Sequence, residues 1–212
     1  MKQLQAKVLT TGLIISGCIY GCNLLPPIPM SIPCCRPETT QKSFYLAIAT
    51  HNEDELKFAQ NFNYAIAKKV GDSELIIDTM QGQIITNQFS NKASRRSVQD
   101  ISTNLKVIPS DDKALVQAFN RMLEISEKDR QHSFYAYILT PGTSDSATLA
   151  EIRTISVAFA KKKVQNAHFH IVGLSPIHRL EMSKATAPLD HCIKFSSDSD
   201  TEWVQLLEPL TN

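Results

Sequence analysis

The side chains of this chain that could do chemistry are hydroxyls, histidines and carboxylates in short polar segments. A hydroxyl becomes a useful nucleophile only beside a base, and the candidate nucleophiles and bases are Thr50, Ser144, Ser175, His51 and His178. No Gly-x-Ser-x-Gly motif, phosphate loop or dinucleotide fingerprint accompanies them among the seven glycines. The pattern therefore favours a non-catalytic protein.

Histidines offer a second possible chemistry, the binding of zinc or copper. His168 and His170 are two residues apart in a predicted strand and so point to one face. His178 and His191 lie downstream and could complete a metal site. The first pair lies towards the start of its strand, however, and His178 begins a helix at the opposite edge. Core or surface histidines are the favoured interpretation, and no resident cofactor is predicted.

The cysteines are concentrated at the N-terminus. Four of the five precede residue 36, namely Cys18, Cys22, Cys34 and Cys35. Their spacing forms neither a disulfide framework for a domain nor a paired Cys-x-x-Cys zinc pattern. Cys34 and Cys35 are linker thiols or partners of Cys22, whereas Cys192 is interpreted as a small core residue.

The N-terminal segment has the pattern of an export signal. Lys2 and Lys7 precede an apolar stretch, Val8 to Ile15, that is too short for the ~20 residues of a membrane span. The sequence Ile15-Ser16-Gly17-Cys18 then resembles a bacterial lipobox. That resemblance implies a signal peptide over 1–17 and a lipid on Cys18. An uncleaved anchor and a plain secretory signal are the alternatives.

Residues 18–41 are predicted to form a lipid-anchored linker. They contain half of the ten prolines, and proline favours the extended polyproline II conformation. Such a spacer would hold a domain away from a membrane. We therefore expect an envelope location, anchored by the N-terminal lipid, with the domain facing the periplasm or the exterior.

Composition places the remainder, 42–212, among ordinary globular domains. The chain of 212 residues is 42% hydrophobic and 20% charged, with a formal net charge of +1. A single domain of this length can bury a sizeable core. The near-neutral charge gives no support to nucleic acid as a partner.

Short apolar runs alternate with amphipathic helices along this domain. Strands are predicted over 44–49, 74–80, 83–89, 134–139, 168–174 and 192–195, with helices between them. Asn52 and Glu55 are expected to form a capping box at the start of the first helix. A long helix is predicted from Ala147 to Lys163, and Ser175-Pro176 is expected to begin the next one. The second and third strands flank Gln81-Gly82 and form a hairpin. The predicted fold is three-layer α/β, with a mostly parallel central sheet, helices on both faces and one hairpin-linked antiparallel edge strand.

In sheets of this kind ligands bind beyond the carboxyl ends of the strands. The polar residues that follow the predicted strands or begin the predicted helices define a candidate binding edge: Thr50, His51, Asn52, Asp54, Ser110, Thr140, Thr143, Ser144 and Asp145. Ser110 is expected to cap one helix, and the hydroxyls of Thr143 and Ser144 are expected to cap another.

The element order from about Lys42 onwards resembles a von Willebrand factor A domain. The run from Phe134 to Gly142 is similar to the family's strand ending in Thr-Asp-Gly, and Ser110 begins a similar helix. This resemblance implies a metal-ion-dependent adhesion site made of Asp-x-Ser-x-Ser, a threonine and the last aspartate. Here Thr50 replaces the first aspartate and Pro141 the last, so a divalent cation is disfavoured.

The sequence thus predicts a membrane-tethered, non-catalytic protein-binding or scaffold lipoprotein with a degenerate adhesion site. Its partner would be an unidentified protein of the cell envelope. The alternative is a small-ligand-binding or hydrolytic lipoprotein that uses the same edge of the sheet.

Overall fold

A computed structural model describes residues 41–70, 73–80, 84–88, 92–107, 112–128, 132–162, 164 and 166–207. The segment 1–40, which contains the lipidation candidate Cys18, lies outside this range. Ser110, the predicted helix cap, lies outside it as well. Their predicted roles therefore remain predictions.

The described strands form one sheet in the order β3-β2-β1-β4-β5-β6. Their bounds are β1 (Lys42–Ile48), β2 (Glu74–Asp78), β3 (Ile84–Gln88), β4 (Ser133–Leu139), β5 (Ala167–Val172) and β6 (Ile193–Ser196). Five of these strands are parallel, and β3 pairs with β2 in antiparallel orientation at one edge. The predicted fold class and its antiparallel edge strand are confirmed.

Helices connect these strands. They are α1 (Glu53–Lys69), α2 (Lys92–Asn104), α3 (Asp112–Lys128), α4 (Ser146–Ala160), α5 (Pro176–Ala185) and α6 (Asp200–Leu207), with a short 3₁₀ helix at Ala187–Leu189. Within the described residues, no helix combines the length and the apolar composition that crossing a bilayer requires. Helix α4 was predicted to extend to Lys163, but it ends at Ala160, because Lys161 and Lys162 form a turn.

Alternation along the strands places one core on each side of the sheet. In β1, Tyr45 and Ala47 pack with the residues of α3 and α4, whereas Phe44 and Leu46 pack on the opposite side with α1 and α6. Both faces are therefore covered by helices, as parallel sheets require. Cys192 is buried in the core that faces α3 and α4, called the first core below, and it is disulfide-bonded. The sequence predicted only a small core residue.

Candidate functional site

Backbone hydrogen bonds fix the carboxyl ends of four adjacent strands relative to one another. Ala49 N donates to Leu139 O at 2.9 Å, and Thr140 N donates to Val172 O at 3.0 Å. Gly173 N continues the row by donating to Ser196 O at 3.0 Å. The loops after β1, β4, β5 and β6 consequently leave the sheet side by side, as the sequence predicted for the first three.

The loop after β1 ends in a strongly capped helix. Asn52 Oδ1 accepts hydrogen bonds from Asp54 N at 3.0 Å and Glu55 N at 2.9 Å. Glu55 closes the loop in return, because its Oε2 accepts from His51 N at 2.7 Å and its Oε1 from Asn52 Nδ2 at 2.7 Å. The predicted cap is confirmed, and it orients Glu55 across the start of α1.

Thr50 is engaged in the protein interior. Its side chain is buried, and its Oγ1 donates to Lys106 O at 2.6 Å. This hydrogen bond ties the end of β1 to the segment that follows α2. The hydroxyl therefore serves the fold at the position where the adhesion-site pattern requires a carboxylate.

The loop after β4 is held by two turns. Thr140 Oγ1 accepts from Gly142 N at 3.1 Å, and Thr143 Oγ1 accepts from Asp145 N at 3.0 Å. Asp145 itself caps α4 by accepting from Thr148 N at 2.7 Å, and this hydrogen bond lowers the pKa of its carboxyl group. The expectation that Thr143 and Ser144 cap the helix is wrong, because Asp145 directly precedes the helix and its carboxylate takes the cap position.

A pocket opens between these loops. It is shallow and open to solvent, and it is lined by Ala49, Glu55, Phe58, Leu139, Thr140, Pro141, Gly173 and Asp198. Its walls are mainly apolar, and its carboxylates come from α1 and from the loop after β6. Small-molecule sites enclose most of the ligand's surface, whereas this shallow depression is open to solvent and can take the tip of a partner's side chain.

Among the predicted edge residues that the structure describes, only Thr140 lines this pocket. Asn52, Asp54 and Ser144 are exposed nearby, at the starts of α1 and α4. Sequence reasoning missed Glu55, Phe58 and Asp198 as lining residues. Asp198 could have been found, because the predicted sixth strand has its own carboxyl end and the rule that selected the other loops applies equally there.

The first turn of helix α5 packs closely against the loop after β4. His178 Nδ1 lies 2.8 Å from Pro141 O. Gly142 has a φ of +88°, and a Cβ added there would come within 2.6 Å of His178 Cβ. This close approach brings the first turn of α5 to the pocket wall formed by Pro141.

The outer face of α5 carries two exposed apolar side chains. Ile177 is 75% exposed and Leu180 is 60% exposed. Their spacing of three places them on one side of the helix, while Met182 and Ala185 face the core. The two side chains form a small apolar patch in solvent on α5, the helix whose first turn contacts Pro141 through His178.

The donor set at the edge does not fit a divalent cation. Thr50 directs its hydroxyl to a backbone carbonyl, and Pro141 has no side-chain oxygen. Hard cations need several oxygen ligands with carboxylates among them. Across the residues that the structure describes, no group of three or more His, Cys, Asp or Glu side chains is placed to hold a metal ion.

The histidine pair forms part of the core. The ring of His168 stacks on Tyr135 at 4.7 Å between centroids, and His170 stacks on Tyr137 at 5.0 Å. Burial, with smaller repulsion from Lys194 and His168, lowers the pKa of His170 to about 3. Both rings point to one face as predicted, but they pack against tyrosines.

The candidate nucleophile–base pairs have other hydrogen bonds. Ser175 caps α5, with its Oγ accepting from His178 N at 3.4 Å, while the His178 ring contacts Pro141. His51 Nδ1 lies 3.3 Å from Glu55 Oε2, and Thr50 donates to Lys106 O. Capping and loop closure thus explain these side chains without catalysis.

No protein-family model matches this sequence, and no curated protein matches it. Solved structures do resemble its fold. A von Willebrand factor type A structure from Catenulispora acidiphila has a TM-score of 0.53 and 14% identity, covering 80% of this chain and 41% of that chain. BatB from Bacteroides thetaiotaomicron, described as a conserved hypothetical protein, has a TM-score of 0.53 and 11% identity, covering 80% of this chain and 96% of that one.

An aerotolerance-related membrane protein from Bacteroides fragilis has a TM-score of 0.48 and 9% identity, covering 79% of this chain and 96% of that one. The chain spans less than half the length of the Catenulispora structure. At these identities the likeness concerns the fold. The chain therefore has a von Willebrand factor A-type fold.

Proposed function

We propose that this protein is a non-catalytic binding module that holds a protein partner at the carboxyl edge of its sheet. The observation that carries the proposal is the exposed pair Ile177 and Leu180 on α5, beside the pocket wall at Pro141. Large apolar side chains in solvent favour burial against another protein. The fold supports the proposal, because von Willebrand factor A-type domains present their binding loops at this edge.

The alternative of a small ligand or a hydrolysed substrate has less support. The pocket is small and open, and the hydroxyls of Thr140 and Thr143 in the adjoining loop are used in turns. Thr140 is the pocket's hydroxyl, and it already accepts a hydrogen bond from Gly142 N. This geometry therefore suits a partner that covers the loops better than a small ligand that enters the pocket.

The proposal includes a lipid tether at Cys18 and a location in the cell envelope. Its support is the lipobox-like sequence Ile15-Ser16-Gly17-Cys18 and the proline-rich stretch that follows. In this arrangement the linker over 18–41 would carry the domain away from the lipid surface. The intact mass of membrane-extracted protein tests it, with loss of 1–17 and a lipid adduct expected. An unmodified Met1 would contradict the tether.

Affinity capture from detergent-solubilised membranes of the source cells tests the binding proposal. The full-length chain is compared with a double variant, Ile177→Glu with Leu180→Lys, which removes the apolar pair without changing net charge. We expect the double variant to lose the captured protein at unchanged Tm, because both side chains are exposed. Capture in chelator should equal capture in calcium or magnesium.

Tyr64→Ser is the matched control. Tyr64 is an exposed apolar residue, 51% exposed, in the middle of α1. It lies eleven residues beyond the first residue of that helix, which is about 16 Å along the axis. Its substitution should leave capture intact. Equal loss in both variants, or a partner retained only with a divalent cation, would contradict the proposal.

A further inference from the structure

The carboxyl edge of the sheet is acidic, although the net charge of the whole chain is close to zero. The segments that form it are 49–55, 140–145, 173–175 and 197–199, and all of them are described. They contain five carboxylates and neither lysine nor arginine, whereas the chain as a whole has a net charge of +1. The carboxylates are Glu53, Asp54, Glu55, Asp145 and Asp198.

Helix stabilisation explains some of these charges. Glu53, Asp54 and Glu55 occupy the first turn of α1, and Asp145 caps α4, where carboxylates complement the helix dipole. Glu55 also accepts the hydrogen bonds of the capping box, from His51 N and Asn52 Nδ2. Asp198 is different. It lies exposed in the loop before α6, and within the described part of the chain its carboxylate makes no hydrogen bond and no ion pair. Capping therefore does not explain its presence at the pocket.

The pocket combines apolar walls with this negative charge. Phe58, Leu139 and Pro141 supply apolar surface, while Glu55 and Asp198 contribute carboxylates from two different elements. A lysine or arginine side chain has the complementary construction, with an apolar stem and a charged tip. Arginine also stacks well on aromatic rings, and Phe58 offers one.

We infer that the partner inserts a basic side chain, best an arginine, into the pocket between Glu55 and Asp198. This inference rests on the proposed binding function and specifies the partner's chemistry. In the adhesion-site arrangement a metal ion supplies the positive charge at this edge. Here the positive charge comes from the partner, and the apolar pair Ile177 and Leu180 contacts the residues that flank the arginine.

The test uses the full-length chain in detergent and three dye-labelled pentapeptides, followed by fluorescence anisotropy. The peptides are acetyl-Ala-Leu-X-Leu-Ala-amide with arginine, citrulline or glutamate at X. Citrulline keeps the shape of arginine without its charge. We expect the arginine peptide to bind roughly fivefold more tightly than the citrulline peptide, and the preference to weaken as salt increases.

The double variant Glu55→Gln with Asp198→Asn should remove that preference. Glutamine still serves a capping box, so the loop at His51 keeps its acceptor and the fold is retained. Glu53→Gln is the matched control, because it removes a charge from the same helix turn without lining the pocket. It should leave the arginine preference within about twofold of wild type, as expected for an exposed charge at some distance.

Two results would overturn the inference: equal binding of the arginine and citrulline peptides, or an arginine preference that survives in the double amide variant. Membrane capture separates this failure from failure of the proposed function. If the double amide variant still captures a partner that depends on Ile177 and Leu180, only the arginine inference is wrong. If the wild-type chain captures no partner, the binding function itself is wrong.

Discussion

Asp78 is a buried carboxylate at the end of β2 that three groups hold in place. Its Oδ2 accepts from Tyr45 Oη at 2.8 Å and pairs with Arg121, while its Oδ1 accepts from Met80 N at 3.0 Å. Burial, followed by the charge of Asp78, raises the pKa of Tyr45. The network joins β1, β2 and α3 on the face of the sheet that carries the first core.

Replacing Asp78 should destabilise the fold. Its side chain is 2% exposed, and Asp78→Ala would leave the guanidinium of Arg121 and the hydroxyl of Tyr45 without their acceptor. We expect a loss of about 3 kcal/mol in the free energy of unfolding, measured by urea titration. Asp100→Ala, at an exposed position of α2, should change stability by less than about 0.5 kcal/mol. Equal effects would refute the network's importance.

His170 should make stability depend on pH. Its pKa is about 3 in the folded state and about 6.5 in an unfolded chain. Above 6.5 the ring is neutral in both states. Between 6.5 and 3 only the unfolded chain takes up the proton, so the free energy of unfolding falls as pH falls, by about 1.4 kcal/mol per pH unit for one proton.

The comparison with His170→Phe isolates this effect, because phenylalanine keeps the ring beside Tyr137 and does not titrate. Urea unfolding from pH 7 to 4 should give the variant a shallower pH dependence than wild type. Lys194→Gln should retain most of the wild-type slope, since burial is the larger cause of the shift. Parallel slopes for wild type and His170→Phe would contradict the assignment.

At the residue scale, the sequence predicted roles that depend on nearby residues better than contacts between distant segments. Asn52 was recognised as a cap because its partner, Glu55, is three residues away and the motif is local. The roles of Thr50 and Asp198 depend on segments far apart in sequence. No local pattern shows that Thr50 donates to Lys106 O or that Asp198 and Phe58 line the same pocket.

At the element scale two glycines set the geometry of the loops. Gly142 and Gly173 have positive φ values of +88° and +92°, which side chains with a Cβ tolerate poorly. The surroundings differ. A Cβ at Gly142 would overlap His178 and Leu174, at 2.6 Å and 2.8 Å, whereas at Gly173 the nearest atom is Thr140 O at 3.4 Å.

Gly142→Ala should therefore be the more damaging substitution. Gly173→Ala should lower the free energy of unfolding only by the cost of placing alanine at positive φ, about 1–2 kcal/mol. Gly142→Ala adds a steric overlap worth about 1–3 kcal/mol and separates α5 from the loop after β4. Thermal unfolding of the two variants measures the difference. A Gly173→Ala protein less stable than Gly142→Ala would show that His178 does not constrain this loop.

The sequence predicted the elements well because their signals are periodic and local. The buried run at β1 and the serine–proline start of α5 agree with the structure. The start of α4 was misplaced by one residue, since Thr143, Ser144 and Asp145 are all possible caps and only the backbone angles select Asp145. The pairing order of the strands was not predicted, because periodicity along the chain does not specify which strands are neighbours in the sheet.

At the scale of the whole molecule, the features on which the proposed function rests lie where the fold brings loops together. A three-layer sheet with both faces covered leaves its edges for binding. The carboxyl edge combines the pocket, the carboxylates and the exposed side chains of α5. Lysines, by contrast, lie at or just beyond the C-terminal ends of α1, α3 and α4, away from this edge. A lipid at Cys18 would add location without contributing to this surface.

Site-specific photo-crosslinking in living cells tests the central claim, that the carboxyl edge binds a protein. A photoreactive phenylalanine analogue replaces Ile177 in one full-length variant and Tyr64 in another. The claim predicts one discrete cross-linked product from position 177 and none from position 64. No product from position 177, or the same product from both positions, would contradict it.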